Sequence, residues 1–265
     1  MNWKRILTAG ILTGALTVSS AAALTVKVDG ADTGMNTYAE NGTTYVPLRA
    51  AAQCLGDVEV SWVDGAARVE SAAGLSLTAR PGALWLEANG RYFYVPGGVR
   101  AENGATMVPA RALASAMGAK AAWDGDTQTV ELISGQGVPD EPAYTQEDLY
   151  WLSRIISAES QGEPLEGKLA VGTVVLNRVA SEEFPNTIYD VIFDRKWGVQ
   201  FTPVANGAIY WEPTEESVAA AKLVLDGARA AGNSLYFLDP DLTDDRWAPN
   251  NRPYVTTIGC HWFYA

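Results

Sequence analysis

Histidine and cysteine are nearly missing from this 265-residue chain, which carries one His, His261, and two Cys, Cys54 and Cys260. That scarcity removes several chemistries. A catalytic zinc site draws on about three protein ligands, usually with imidazole among them, and one His cannot supply the set. Serine acyl transfer would need the same lone imidazole as its base, and no G-x-S-x-G elbow occurs. A cysteine nucleophile needs a His across space, yet Cys260 and His261 adjoin in a strand-like stretch that turns their side chains to opposite faces. His261 reads instead as a hydrogen-bonded strand residue. Two thiols make no disulfide framework in a chain of this size, and a Cys54–Cys260 bridge would demand close docking of two distant segments.

Basic residues are also outnumbered, 19 against 31 acidic, for a net charge of −12. A nucleic-acid partner is thereby excluded, and binding to any anionic polymer must come from short-range contacts. Aromatic faces suit that task, and the chain has 9 Trp and 11 Tyr. Long apolar runs are absent except over residues 6–18, which follow Lys4 and Arg5 and precede Ala21, Ala22 and Ala23. This pattern reads as a secretory signal peptide over 1–23, too short for a stable membrane span. A retained N-terminal anchor, with peripheral wall or membrane association, is the alternative.

After the leader the chain repeats itself. ENGTTYVPLRAAAQCLG (40–56) aligns with ENGATMVPARALASAMG (102–118), and Trp62 then matches Trp123. Each copy reads as an Asn-Gly hairpin, a short strand, a V-P-x-R entry into a small helix and a Trp-bearing strand. Pro47 and Pro109 pre-set the helix starts, and Arg49 and Arg111 are expected to pair locally. The duplicated module, 24–134, resembles the copper amine oxidase N-terminal-like domain and suits a spacer or adhesion role. Copper itself is not expected, because 24–134 contains no His and one Cys. GQGVPDEP (135–142) lacks apolar periodicity, so 135–143 reads as a linker to a second domain, 144–265.

That second domain reads as mostly helical with a small late sheet, giving an α+β chain. Thr145 caps a helix whose apolar positions are Leu149, Leu152, Ile155 and Ile156, and the pattern stops at Gln161-Gly162. Glu159 therefore falls in the last turn, where the negative end of the helix dipole disfavours ionisation, and a carboxyl partly desolvated there would have its pKa pushed further toward the range of a general acid. Pro164 opens a helix over 165–179 that is apolar on nearly all faces, with Asn177 and Arg178 in structural roles at its end. A short helix is expected from Asn186 through Ile192 and a longer one from Thr214 to Gly232. SLYFL, YVTTIG and HWFY have strand-like content.

The blocks IISAESQGEPLEGKLAVGTVVLNRV, FPNTIYDVIFD, QFTPVANGAI and IGCHWFY resemble, in order, those of SleB-type spore cortex-lytic cell wall hydrolases. The resemblance implies a lysozyme-like catalytic domain that cleaves peptidoglycan glycan strands as a lytic transglycosylase, and the one His with no clustered thiols makes no metal or cofactor expected. It makes Glu159 the catalytic acid and places Gln200, Phe201 and Asn206 on the groove wall. Glu163, the second Glu of the block, is expected to stabilise the next helix start. Cys260 departs from the Asn expected before the late His, and Trp197 with Arg195 and Lys196 departs in the groove region. A secreted protein of a Gram-positive wall or spore envelope follows. Two alternatives stand beside it: a hydrolytic muramidase or glucosaminidase using the same Glu159, and a wall-binding protein without turnover.

Overall fold

The structure is a computed structural model that describes residues 24–265 apart from 197 and 245, so the expected leader, 1–23, and Trp197 lie outside the described residues. The two repeats form matching units. Asn41-Gly42 and Asn103-Gly104 take positive φ at both positions, the geometry that a two-residue hairpin turn needs to follow strand twist. Strands Thr43–Pro47 and Ala105–Pro109 lead directly into helices Leu48–Leu55 and Ala110–Ala116. The prolines are the N-caps of these helices rather than their first turns.

The two repeat strands pair antiparallel with Val46 opposite Val108, Tyr45 opposite Pro109 and Pro47 opposite Met107. Tyr45 is the repeat equivalent of Met107, and Pro47 of Pro109, so this register maps onto itself under a local twofold axis through the valine pair. The helices bury Leu48, Ala51, Ala52 and Leu55 in one copy and Ala110, Leu113 and Ala114 in the other, against a shared core. The strand Thr25–Val28 closes the module by pairing parallel with Thr129–Ile133.

The helical half starts with a full capping box, in which Thr145 accepts from the Asp148 amide and Asp148 accepts from the Thr145 amide. Helix Gln146–Ser160 packs on Leu165–Ala180, the central helix, and on Glu215–Leu225. Their core gathers Leu152, Ile155, Ile156, Leu169, Val175 and Leu223. The expected short helix runs Ile188–Phe193 with Thr187 as its cap, a shift of one residue. The longer one stops at Leu225, well before Gly232. Asp226 ends it, because its carboxylate is drawn across to Arg91 and the Tyr92 amide, while Arg229 covers the freed Val224 carbonyl. Strands Tyr236–Leu238, His261–Tyr264 and Tyr254–Ile258 form the late sheet in that spatial order.

The halves are not separate in space. Leu84, Trp85, Tyr92 and Tyr94 pack against the core of the helical half. Arg91 pairs with Asp226 at 2.8 Å, and the Asp226 side chain is wholly buried there. Segment 135–143 is itself anchored, since Arg91 donates to the Asp140 carbonyl at 2.7 Å. Cys54 and Cys260 are both exposed and unpaired with each other.

Candidate active site

Glu159 lies one residue from the end of helix Gln146–Ser160, half-buried by the turn that leads to Leu165–Ala180. The turn is fixed from beneath. Lys168, 1% exposed, donates to the carbonyls of Gln161 and Glu163 and pairs with Glu216 at 2.9 Å. Among the described residues the Glu159 carboxyl has no hydrogen bond or ion pair, and burial pushes its pKa up to about 7. Arg178 is, among the described residues, the charge that acts on it, in the opposing direction. A carboxyl in this state holds its proton near neutrality and can release it, as a general acid must.

Arg178, expected in a structural role at the end of its helix, also acts on Glu159. Its Nε donates to the Leu235 carbonyl at 2.7 Å, its guanidinium lies over the rings of Phe184, Phe201 and Tyr236, and its Nη1 is buried without a partner. Burial lowers its pKa to about 10, so it remains a cation at neutral pH. The available signal was a lone cation closing an otherwise apolar helix, followed by the aromatic run SLYFL. Asn177 has the structural role expected, donating to the carbonyls of Gly232 and Ser234.

Glu163 does not cap the following helix, whose N-cap is Pro164 with no side-chain bond. Its carboxylate accepts instead from the Cys260 amide at 3.2 Å. That charge raises the Cys260 thiol pKa, away from the thiolate a nucleophile requires. His261 is buried at the start of the last strand, its ring edge-on to Phe237 at 5.2 Å. Its Nδ1 has no partner, so the hydrogen bond expected of a strand histidine is missing there. Burial lowers its pKa and keeps it neutral.

The three expected groove residues separate. Gln200 is half-exposed and donates to the Gly198 carbonyl at 3.3 Å. Phe201, 2% exposed, lies under Arg178 and touches Phe237. Asn206 is exposed and accepts from the Ala208 amide at 2.9 Å, shaping the turn after helix Thr202–Asn206. A cavity of about 480 Å³ lies on the duplicated module and one of about 780 Å³ lies between that module and residues 226–229 of the helical half, and neither reaches Glu159.

A half-buried acid beside a buried arginine, at the junction of a helical core and a small late sheet, is joined to a clear family likeness. The Cell Wall Hydrolase profile matches residues 162–264, beginning three positions after Glu159. The chain belongs to that family of cell wall hydrolases. Among its relatives, the spore cortex-lytic enzyme of Bacillus cereus is 40% identical over 129 residues, 49% of this chain and 48% of that protein. Cell wall hydrolase CwlJ of Oceanobacillus iheyensis is 30% identical over 46% of this chain and 89% of its own length. The solved catalytic domain of the germination-specific lytic transglycosylase SleB from Bacillus anthracis is 38% identical; it is covered entirely by 48% of this chain, with a TM-score of 0.43. The chain spans about half the length of the spore cortex-lytic relatives it matches. Residues 27–132 match the copper amine oxidase N-terminal domain. The donors there do not fit copper, since the segment has no His and its one Cys, Cys54, is exposed.

Proposed function

We propose that this protein is a peptidoglycan-degrading enzyme of the cell wall or spore cortex, secreted by a Gram-positive cell. Glu159 is its catalytic acid, and the reaction is lytic transglycosylation. The observation that carries this reading is the half-buried Glu159 carboxyl, without a hydrogen bond or ion pair among the described residues and with its pKa raised to about 7. Glu159 gives its proton to the glycosidic oxygen as the muramoyl C1–O bond breaks, so the leaving sugar departs with a hydroxyl. The resulting carboxylate takes the proton of the muramoyl C6 hydroxyl, whose oxygen closes on C1. A 1,6-anhydro ring forms, the acid is regenerated and no water is consumed. Arg178, cationic and with a free Nη1, is placed to offset charge when Glu159 ionises.

The rival hydrolase would need a second carboxylate about 5–9.5 Å from the first. The one-acid reaction needs no such partner, and the released products separate the two. Mass spectrometry of muropeptides released from purified cortex and vegetative wall tests it. Anhydro ends are expected from the wild type, with a loss of about 100- to 10,000-fold in Glu159→Gln at unchanged circular dichroism. Products carrying an added water would overturn the transglycosylase assignment, and near-normal turnover by the variant would remove Glu159 as the acid.

A further inference from the structure

The two cavities are repeat-equivalent grooves. In the one of about 480 Å³, Arg49 on helix Leu48–Leu55 and Trp62 face residues 104–106 of the other repeat's hairpin. In the one of about 780 Å³, Arg111 on helix Ala110–Ala116 and Trp123 face residues 42–44. Each groove thus borrows a hairpin from the opposite repeat, as the twofold pairing of Val46 with Val108 requires. The second is larger because Asp226 and Arg229 of the helical half extend its wall.

Two independent observations mark these grooves. Trp62 and Trp123 are 57% and 47% exposed, an unusual disposition for indoles on a module that buries most of its apolar side chains. Arg49 and Arg111 were expected to pair locally, but among the described residues neither has a hydrogen bond, ion pair or ring contact. The other arginines of the module are engaged: Arg68 with Asp64, Arg80 with the Asp64 carbonyl, Arg91 with Asp226 and Arg100 with Glu40. On a chain of net charge −12, an unneutralised guanidinium beside an open indole face at two symmetric places is a recognition pattern. Indole stacks on the C–H face of a pyranose, and the guanidinium takes a carboxylate in a fork.

We propose that the two grooves are a matched pair of binding sites for a glycan that bears carboxylates, and that the ligand is the peptidoglycan strand with its acidic stem peptides. The choice of that glycan rests on the function proposed above; the paired grooves do not. Because the sites are related by a twofold axis, one module holds two stretches of wall at once, and retention gains from effective concentration. The helical half is thereby kept at its substrate although long-range electrostatics oppose approach.

The test uses the chain in Glu159→Gln form, so that cleavage plays no part, and measures its retention on purified sacculi before and after teichoic acid is removed with hydrofluoric acid. Trp62→Ala and Trp123→Ala should each weaken retention by about tenfold, and the double substitution by clearly more than either. Arg49→Gln with Arg111→Gln should do the same, and all variants should keep the parent melting temperature because the side chains are exposed. Retention of the double tryptophan variant at the parent level would overturn the proposal. Binding that vanishes with the teichoic acid would also overturn it, assigning the grooves to a phosphate polymer. If the parent without Glu159→Gln fails to cleave strands, the catalytic reading falls while the retention result stands.

Discussion

The Glu163 carboxylate grips the amide of Cys260 at 3.2 Å, bridging the turn below the acid-bearing helix and the hairpin between the last two strands. Gly259 makes the approach possible. It holds φ +58°, and a Cβ there would collide with the Glu163 carboxylate. Gly259→Ala should therefore destabilise the protein by about 1–3 kcal/mol through backbone strain and the lost bond. Glu163→Gln, which keeps an acceptor oxygen, should cost only about 1 kcal/mol. Urea midpoints of both variants check the order, and equal midpoints would remove the clamp from the account.

Glu159 must carry a proton to act as the acid, so cleavage should be level below its pKa of about 7 and fall as pH rises through it. Stability should show the same group with a definite sign. Its folded pKa lies above the ordinary value of 4.5, so the folded state holds the extra proton between those limits and loses stability as pH rises across that window. Glu159→Gln, which never ionises, should gain on the wild type by roughly 1–3 kcal/mol between pH 5 and pH 8. Parallel denaturation at the two pH values reads the difference; a constant gap would show that the carboxyl is not perturbed.

Arg178 holds the pKa of Glu159 below where burial alone would put it. Arg178→Met should move the alkaline limb of the pH–rate profile upward, while Arg178→Lys, which keeps the charge, should leave it nearly in place. Both variants lose the Nε bond to Leu235, worth about 1.5–3 kcal/mol for a charged donor. The limb position separates electrostatic from structural effects. A limb that stays fixed in the Met variant would show that the charge does not reach the acid.

The helical half has its own core and should fold as residues 144–265 alone, although at reduced stability. It would lose the cover of Trp85, Tyr92 and Tyr94 and leave buried Asp226 without Arg91. Asp226→Ala in the full chain strands Arg91 in the same interface and should cost about 3–5 kcal/mol. Calorimetry of the isolated half beside the full chain checks both statements, and an unchanged melting temperature for the half would show the interface to be passive.

The sequence by itself determined the local units. The Thr145 cap, the stop after Gln161, the Asn-Gly hairpins, the repeat and the late strands are set by side chains within a few residues of one another, and the structure has them. It also placed Glu159 in the last turn of its helix, since 3.6-residue periodicity is enough to count turns. What only the tertiary structure decided depends on contacts between residues far apart in the chain. The early end of helix Glu215–Leu225 is set by Arg91, which reaches Asp226 across 135 positions. Glu163 serves a hairpin 97 positions away rather than the helix beside it, and Arg178 bears on Glu159 through space. That Arg49 and Arg111 have no partner among the described residues is likewise a property of the assembled grooves. Propensity and spacing carry no information about which groups desolvate one another, and desolvation is what raises the pKa of Glu159.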